Sequence, residues 1–157
     1  MQSLLDTLPQ TGSVVWIGLR PGRREPMRVV DRVEASTKEG LIGDRYSGRS
    51  GKRQVTLIQA EHLTVIARCL GRAGVAPELL RRNLVIERIN LLALKNRHVT
   101  VGSAILEITG LCHPCSFMEQ TLGAGGYNAV RGHGGLTARV VADGTIGMGD
   151  AVSLNIV

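Results

Sequence analysis

Aromatic residues are scarce in this chain, which has one Trp, two Tyr and one Phe among its 157 residues. Proteins that bind single-stranded nucleic acids usually stack the bases on aromatic side chains, so nucleic acid is a disfavoured partner. No apolar run reaches the roughly 20 residues of a membrane-spanning helix. The N-terminus also lacks the basic segment and apolar core of a signal peptide. We therefore expect a single domain over residues 1–157, cytoplasmic and without a membrane partner.

Cysteine is also rare, and three cysteines are a poor basis for a disulfide framework. The four histidines, at positions 62, 98, 113 and 133, show no paired spacing, so a zinc site is not expected. Cys69 lies inside a predicted helix and is expected to be buried. The remaining two form a C-x-x-C pair, Cys112 and Cys115, which fits either a redox-active dithiol or one reactive thiol beside a second cysteine.

Cys115 is the better candidate for a reactive thiol. Pro114 favours the first turn of a helix, which would place Cys115 beside unpaired backbone N–H groups and the positive end of the helix dipole. Both favour the thiolate, the form that acts as a nucleophile or binds a soft metal such as molybdenum. Cys112 would then be a resolving partner or a packed thiol.

Lysine is nearly absent from a basic chain. The net charge is +6, and only 3 of the 19 basic residues are lysines. Arginine binds phosphate and carboxylate groups bidentately, so the composition favours a phosphorylated ligand or another polyanion. The codon usage of a GC-rich genome would produce the same excess of arginine. The sequence shows no helix-turn-helix or zinc-finger pattern.

Short β-branched runs bounded by Gly, Asp or Asn predict a mainly β fold. The runs cover residues 13–19, 27–33, 54–58, 84–89, 98–101, 104–109, 138–142 and 151–157. Helical spacing of apolar residues predicts a helix over 60–70; a second is predicted over 114–122, and 77–82 could add one turn. Eight strands with two or three short helices indicate a closed or partly open β-barrel rather than an α/β layout.

Five segments in order resemble the MOSC domain, the C-terminal domain of molybdenum cofactor sulfurases. They are EGLIGDRYSGRSGKRQVTLIQAEHL, RRNLVI, VGSAILEITG, GLCHPCSFME and GHGGLTARVVADGTIGMGDAV. The resemblance covers roughly residues 10–157 and is to a stand-alone bacterial-type member. It implies a barrel-like β fold and a function with the molybdenum cofactor, a phosphorylated pterin, in its molybdopterin form.

The resemblance also implies a role for Cys115, which would ligate molybdenum or carry sulfur as a persulfide. Stand-alone bacterial members and the mitochondrial amidoxime-reducing proteins reduce N-hydroxylated compounds at such a centre. A reductase would need a separate flavin or iron–sulfur electron donor, and a sulfur carrier would need a cysteine desulfurase. The PLP-dependent desulfurase domain of full-length sulfurases is not expected in this chain, and neither is PLP.

Cofactor-binding residues are expected in two arginine-containing turns. Gly43, Asp44 and Arg45 would meet the cofactor phosphate and pterin, or else form a solvated turn. Tyr46 follows, where many members have His; tyrosine donates a hydrogen bond but does not exchange protons near neutral pH.

The second turn, Arg81–Arg82–Asn83, could bind an anion and a pterin edge, although adjacent side chains often point apart. Asn83 could instead form a local turn. Arg53, at the start of a strand, could point into the barrel mouth or out to water.

A glycine-rich segment supplies the last candidates. Gly134 and Gly135 permit close approach of the backbone to a ligand, or only the torsions of a hairpin. His133 is the histidine best placed for proton transfer, although a single loop histidine is often simply solvated. His113, between the cysteines, would tune Cys115 if it faced that thiol.

Two other classes of function remain open. In one, an arginine-rich barrel binds RNA or another polyanion and Cys115 is incidental, which predicts steep salt dependence of binding. In the other, Cys112 and Cys115 form a dithiol oxidoreductase, which predicts a reversible disulfide and a requirement for both thiols.

Overall fold

Seven strands close into a barrel in this computed structural model, which describes residues 1–45 and 51–156. The strands within these residues are β1 (Gly12–Leu19), β2 (Arg28–Val30), β3 (Arg32–Ser36), β4 (Gly40–Leu41), β5 (Val55–Gln59), β6 (Leu84–Glu87), β7 (His98–Val101), β8 (Ala104–Leu111), β9 (Leu136–Ala142), β10 (Gly144–Gly147) and β11 (Ala151–Leu154). Barrel strands follow the order β11–β7–β8–β9–β5–β6–β1, and β1 pairs with β11 to close the ring. The expected mainly β barrel is confirmed.

One predicted strand does not belong to the barrel as a single element. The run over 27–33 divides at Asp31 into β2, which pairs with the edge of β1, and β3. β3 pairs with β10 and β4 in a separate three-stranded sheet. This division leaves seven of the predicted runs in the barrel, whereas the sequence predicted eight.

The helices lie outside the barrel. They are α1 (Gln2–Asp6), α2 (Ala60–Cys69), α3 (Ser116–Leu122) and α4 (Gly126–Val130), with 3-10 turns at Pro77–Leu80 and Leu91–Leu94. α2 and the first of these turns connect β5 to β6, a parallel pair that needs such a crossover. No helix within the described ranges is long and apolar enough to cross a membrane.

The hydrophobic core has two parts separated by the barrel wall. Inside the barrel, inward residues alternate along the strands, as Ala104, Leu106 and Ile108 do along β8. Outside it, Ile58 and Val85 on β5 and β6 pack against the helices. β5 is buried on both faces for this reason, so its sequence is a continuous apolar run rather than an alternating one.

Two expectations about the cysteines need correction. Cys69 was expected to be buried, but it is exposed, because it lies in the last turn of α2, beyond the buried residues Ile66 and Ala67. The helix predicted to begin at Pro114 begins at Ser116. Cys115 is therefore the residue that precedes the helix rather than part of its first turn.

Candidate functional site

A pocket of about 320 Å³ lies beside α3, and arginine is its dominant residue type. It is formed by the loop after β1, the residue Arg45, the chain before β6 and the start of α3. The lining residues, which we call the arginine pocket, are Arg20, Arg23, Arg24, Arg45, Leu80, Arg81, Arg82, Cys115, Ser116, Phe117 and Met118. Six guanidinium groups thus share one pocket with Cys115, and no carboxylate or histidine of the described residues lines it.

Asp44 lies beneath this pocket and holds Arg20 in place. The Asp44 side chain is fully buried, and Arg20 donates to it from the backbone N (2.8 Å), Nε (3.2 Å) and Nη2 (2.9 Å). Removing either partner would leave a charge without its counterion in a buried place. Asp44 therefore neutralises one arginine and orients the loop after β1.

Asn83 is the second buried polar residue beneath the pocket. Its Nδ2 donates to the carbonyl oxygen of Gly18 (3.0 Å) and to Asp44 Oδ1 (3.1 Å). Its Oδ1 accepts from the backbone N and hydroxyl of Thr56 (3.0 and 3.2 Å). Because both amide donors and the oxygen are engaged, Asn83 joins β1, β5 and β6 rather than presenting a free amide to a ligand.

Arg81 points across the pocket and holds its outer loop. The residue adopts left-handed torsions, with φ of 55°. Its Nη1 and Nη2 donate to the carbonyl oxygens of Glu25 (2.6 Å) and Gly22 (3.1 Å). Burial lowers the pKa of Arg81, and the neighbouring charges of Arg20 and Arg45 lower it further. Arg81 thus adds positive charge in a place where charge is already concentrated, which favours an anionic ligand.

Arg82 points inward instead, as expected for adjacent residues that diverge. It is 6% exposed, and it donates from Nε to the Gly134 carbonyl oxygen (2.7 Å) and from Nη1 to that of Leu80 (2.8 Å). Its buried Nη2 has no hydrogen-bond partner among the described residues. Burial lowers the pKa of Arg82, whereas negative charge on the nearby Cys112 and Cys115 sulfurs acts to raise it.

The two cysteines of the C-x-x-C pair occupy different environments. Cys115 is exposed on the wall of the arginine pocket. Cys112 follows β8, is 4% exposed, and donates its backbone N–H to the Gly135 carbonyl oxygen (2.8 Å). Both thiols are free. Of these two thiols, Cys115 is the one accessible to a ligand in the pocket or to a partner molecule.

Seven of the eleven pocket residues were not predicted from the sequence, and three of these are arginines. Arg20, Arg23 and Arg24 lie in the loop between β1 and β2, and the Arg24 guanidinium carbon lies 5.4 Å from the centre of the Phe117 ring. That distance is typical of a cation–π contact. The run RPGRRE, three arginines within five residues between two strands, is the sequence signal that could have identified this loop.

Several other predicted site residues lie at or outside the edge of the pocket. Gly43 is exposed in the turn after β4, with φ of 99°, and Arg45 donates its backbone N–H to the Arg20 carbonyl oxygen (2.8 Å). Arg53 is exposed just before β5. Tyr46 lies outside the described residues.

The residues of the glycine-rich segment lie at two different sites. Gly134 reaches the arginine pocket only through its carbonyl oxygen, which accepts from Arg82. His133 and Gly135 line a separate cleft of about 240 Å³. His113 is exposed and is not among the residues that line the arginine pocket. From the segment before Ser116, Cys115 is the described residue that lines it. The structure therefore does not bring His133 together with Cys115 in one pocket.

Comparison with known proteins decides the family of the chain. The family model for the MOSC domain matches residues 35–153. The chain belongs to the MOSC domain family. This family is known in general for binding the molybdenum cofactor. No curated protein sequence matches the chain.

Solved structures share the fold of this MOSC domain at low sequence identity. The YUAD protein from Bacillus subtilis has a TM-score of 0.80 at 17% identity, covering 94% of this chain and 98% of that one. YiiM from Geobacillus stearothermophilus has a TM-score of 0.75 at 16% identity, covering 92% and 75%. YiiM from Escherichia coli has a TM-score of 0.70 at 17% identity, covering 91% and 69%.

Proposed function

We propose that the arginine pocket binds the molybdenum cofactor in its molybdopterin form, with Cys115 as the protein ligand of molybdenum. One observation carries this proposal. The accessible thiol of Cys115 shares the pocket with Nη2 of Arg82, a buried nitrogen for which the described residues offer no hydrogen-bond partner. A thiolate suits a soft metal, and a guanidinium suits a phosphate or another oxyanion.

The charges around the pocket fit a ligand that is strongly anionic. Asp44 compensates Arg20, and Arg81 donates to backbone carbonyl oxygens that carry no net charge. Five of the six guanidinium charges therefore have no carboxylate of the described residues bonded to them. A phosphate entering the pocket would gain charge-assisted hydrogen bonds from these guanidinium groups, and the buried Arg82 is costly unless an anionic group of the ligand approaches it.

Each wall of the pocket would have a distinct part in binding. Arg23, Arg24 and Arg45, at the exposed side, would hold the cofactor phosphate, and Arg82 would bind an oxygen or sulfur deeper in the pocket. Phe117 would cover a face of the pterin. Among residues 1–45 and 51–156, no group of three or more His, Cys, Asp or Glu side chains could hold a metal. Cys115 would therefore be the protein's single ligand from these ranges.

For the activity, we propose reduction of N-hydroxylated compounds. When bound, the cofactor would supply two-electron redox chemistry, and electrons would come from a separate flavin or iron–sulfur protein. The protein itself would orient the substrate against the arginines of the pocket and leave the side of the pocket at Cys115 open to solvent. Because no described carboxylate or histidine lines the pocket, the protons would come from solvent at that open side.

Sulfur carriage is the second candidate, and the exposure of Cys115 favours it. The Cys115 thiolate would attack the outer sulfur of a persulfide on a cysteine desulfurase. The S–S bond of that persulfide would break, its own cysteine would leave as a thiolate, and Cys115 would carry the transferred sulfur as a new persulfide. Cys112, which is buried, would take no part in this exchange.

An assay with benzamidoxime and reduced methyl viologen separates the two candidates. A reductase converts benzamidoxime to benzamidine with protein isolated from a host that makes the cofactor, and Cys115→Ser abolishes turnover. The matched control is Cys69→Ser, because Cys69 is also exposed but lies on α2. Absence of turnover in the wild-type protein, together with a mass increase of one sulfur at Cys115 after incubation with a desulfurase and cysteine, would replace the reductase proposal with sulfur carriage.

A further inference from the structure

A second cleft lies apart from the arginine pocket, and the two share no lining residue in the part of the chain that the structure describes. It has a volume of about 240 Å³ and is lined by Gln59, His62, Asn90, Leu91, Leu92, Leu111, Gly132, His133, Gly135 and Leu136. We call it the histidine cleft, after the rings of His62 and His133, whose centres are 5.3 Å apart at an interplanar angle of 68°.

One side of the histidine cleft is apolar. Four leucines line it, and Leu92 and Leu111 remain 59% and 41% exposed although both are large apolar side chains. Apolar surface that faces water inside a concave site is covered favourably by an apolar ligand. The cleft is smaller than the range of about 300–1,000 Å³ that is typical for drug-sized ligands. Its size therefore fits a molecule of one or two rings.

The cleft carries no fixed charge. Among the described residues that line it there is no Asp, Glu, Lys or Arg. Burial lowers the pKa of His62, and the neighbouring His133 lowers it further, while Glu61 acts in the opposite direction. His62 is therefore neutral at neutral pH. Without a lysine or arginine among its described lining residues, the cleft contrasts with the arginine pocket and offers an anion no fixed positive charge to offset its loss of hydration.

The available hydrogen-bonding groups in the cleft are limited. The side-chain oxygens of Gln59 and Asn90 accept from the backbone N–H groups of Leu91 and Leu92 (3.1 and 3.2 Å). Nδ1 of His133, in contrast, is buried and has no hydrogen-bond partner among the described residues. A ligand that offered one hydrogen-bonding edge could satisfy an imidazole nitrogen after a small rotation of the ring.

We propose that the histidine cleft is a second ligand site that takes a small, uncharged aromatic heterocycle. Its rings would lie against the leucines, and a ring nitrogen or N–H would bond an imidazole of the histidine pair. The site is independent of the proposed cofactor function, because none of the described cleft residues lines the arginine pocket. Binding in the cleft is accordingly expected to survive Cys115→Ser.

The test uses indole and benzimidazole as neutral probes and indole-3-carboxylate as the anionic counterpart. Backbone 1H–15N NMR spectra of the 15N-labelled protein are recorded during titration with each probe at pH 7.5. We expect saturable shifts at Leu111, Gly132 and Gly135 with at least one neutral probe. Indole-3-carboxylate is expected to bind the cleft at least about tenfold more weakly, since a buried unpaired charge is costly.

Two variants locate the binding. Leu92→Arg places a charge at the cleft and is expected to weaken binding of the neutral probe at least about tenfold, which corresponds to about 1.4 kcal/mol. Met148→Arg is the control, because Met148 is a comparably exposed apolar residue, 46% exposed, outside the cleft. Both substitutions are at exposed positions and are expected to leave the spectrum of the folded protein otherwise intact. His133→Leu adds a check that binding needs the imidazole.

The outcomes are distinct. Localised shifts that Leu92→Arg and His133→Leu weaken and Met148→Arg does not would support the site. Shifts confined to the arginine pocket, binding that Leu92→Arg leaves unchanged, or no saturable shift with either neutral probe would overturn it. Failure of the cofactor proposal would appear instead as loss of molybdenum or turnover, which these titrations do not measure.

Discussion

Nδ2 of Asn83 donates to Oδ1 of Asp44 over 3.1 Å, directly beneath the arginine pocket. The same carboxylate oxygen accepts from the backbone N and Nε of Arg20. Through these two residues the strand β6, the turn after β4 and the loop after β1 are fixed to one another. The position of Arg20 in the arginine pocket thus depends on two buried polar side chains, Asp44 and Asn83, that do not themselves line the pocket.

This network gives a first prediction about stability. Asn83→Ala leaves the Thr56 N–H and the Gly18 carbonyl oxygen without this partner in a buried place, so we expect a loss of about 2–4 kcal/mol in the free energy of unfolding. Urea denaturation measures it. Asn128→Ala, at an exposed position, should change the same quantity by less than about 0.5 kcal/mol. Equal effects of the two substitutions would contradict the proposed importance of the network.

A second prediction concerns anion binding in the arginine pocket. Tripolyphosphate should raise the melting temperature of the wild-type protein in low salt, and Arg82→Gln and Arg45→Ala should each weaken this binding roughly tenfold, the value of one charge-assisted hydrogen bond. Arg68→Ala is the matched control, because Arg68 is exposed on α2, away from the pocket. If Arg68→Ala weakened binding as much as the pocket variants, the anion would be bound by overall charge alone.

The different exposure of the thiols gives a third prediction. Cys115 should react with iodoacetamide at least about tenfold faster than Cys112 in the folded protein, because the Cys112 side chain is buried. Cys69, which is exposed, serves as an internal reference. Peptide mapping by mass spectrometry measures the rates, and the three should converge in denaturant. Comparable rates for Cys112 and Cys115 before denaturation would favour the dithiol alternative.

A fourth prediction compares two glycines of the same loop. A Cβ at Gly135 would lie 2.0 Å from the Leu57 carbonyl oxygen, whereas a Cβ at Gly132 would meet nothing within 4 Å. Both have positive φ, 94° and 82°. Gly132→Ala should therefore cost about 1 kcal/mol from backbone strain alone, and Gly135→Ala about 3 kcal/mol or more because it also displaces β5. Thermal denaturation measures both, and equal costs would contradict the close approach.

A fifth prediction follows from the lowered pKa of His62. The folded protein binds the His62 proton less readily than the unfolded chain, whose value is near 6.5. The stability that neutral His62 allows is therefore fully present above pH 6.5. The free energy of unfolding decreases as the pH falls from there toward the lower pKa of the folded state, because the unfolded chain takes up the proton more readily. The urea midpoint of the wild-type protein should decrease more between pH 7.5 and 5.5 than that of His62→Gln. Parallel decreases would show that His62 does not titrate differently in the folded state.

The barrel was largely predictable from the sequence because its strands are short apolar runs between turn residues. His98–Val101 matches its prediction at both ends, and β1 differs by one residue. Elements without an apolar pattern were missed, such as the two-residue β4 and the glycine-containing α4. The division of the 27–33 run was missed because the pattern does not show that the chain leaves the barrel at Asp31.

The lining of the arginine pocket was predictable only where a motif marked it. Cys115, Arg45, Arg81 and Arg82 were expected and do line the pocket. The loop containing Arg23 and Arg24 was not expected, since its approach to α3 depends on tertiary contacts. Asn83 was expected to contact a ligand, but its side chain is engaged within the protein, which depends on the pairing of β5 and β6 and is not visible in the local sequence.

Molybdenum content tests the central claim most directly. The wild-type protein, Cys115→Ser and Cys69→Ser are purified anaerobically from a host that makes the cofactor, and molybdenum and zinc are measured per chain. We predict near-stoichiometric molybdenum in the wild-type protein and Cys69→Ser, and its loss in Cys115→Ser. Absence of molybdenum from the wild-type protein, or equal content in Cys115→Ser, would contradict the assignment of Cys115 as the ligand of a resident cofactor.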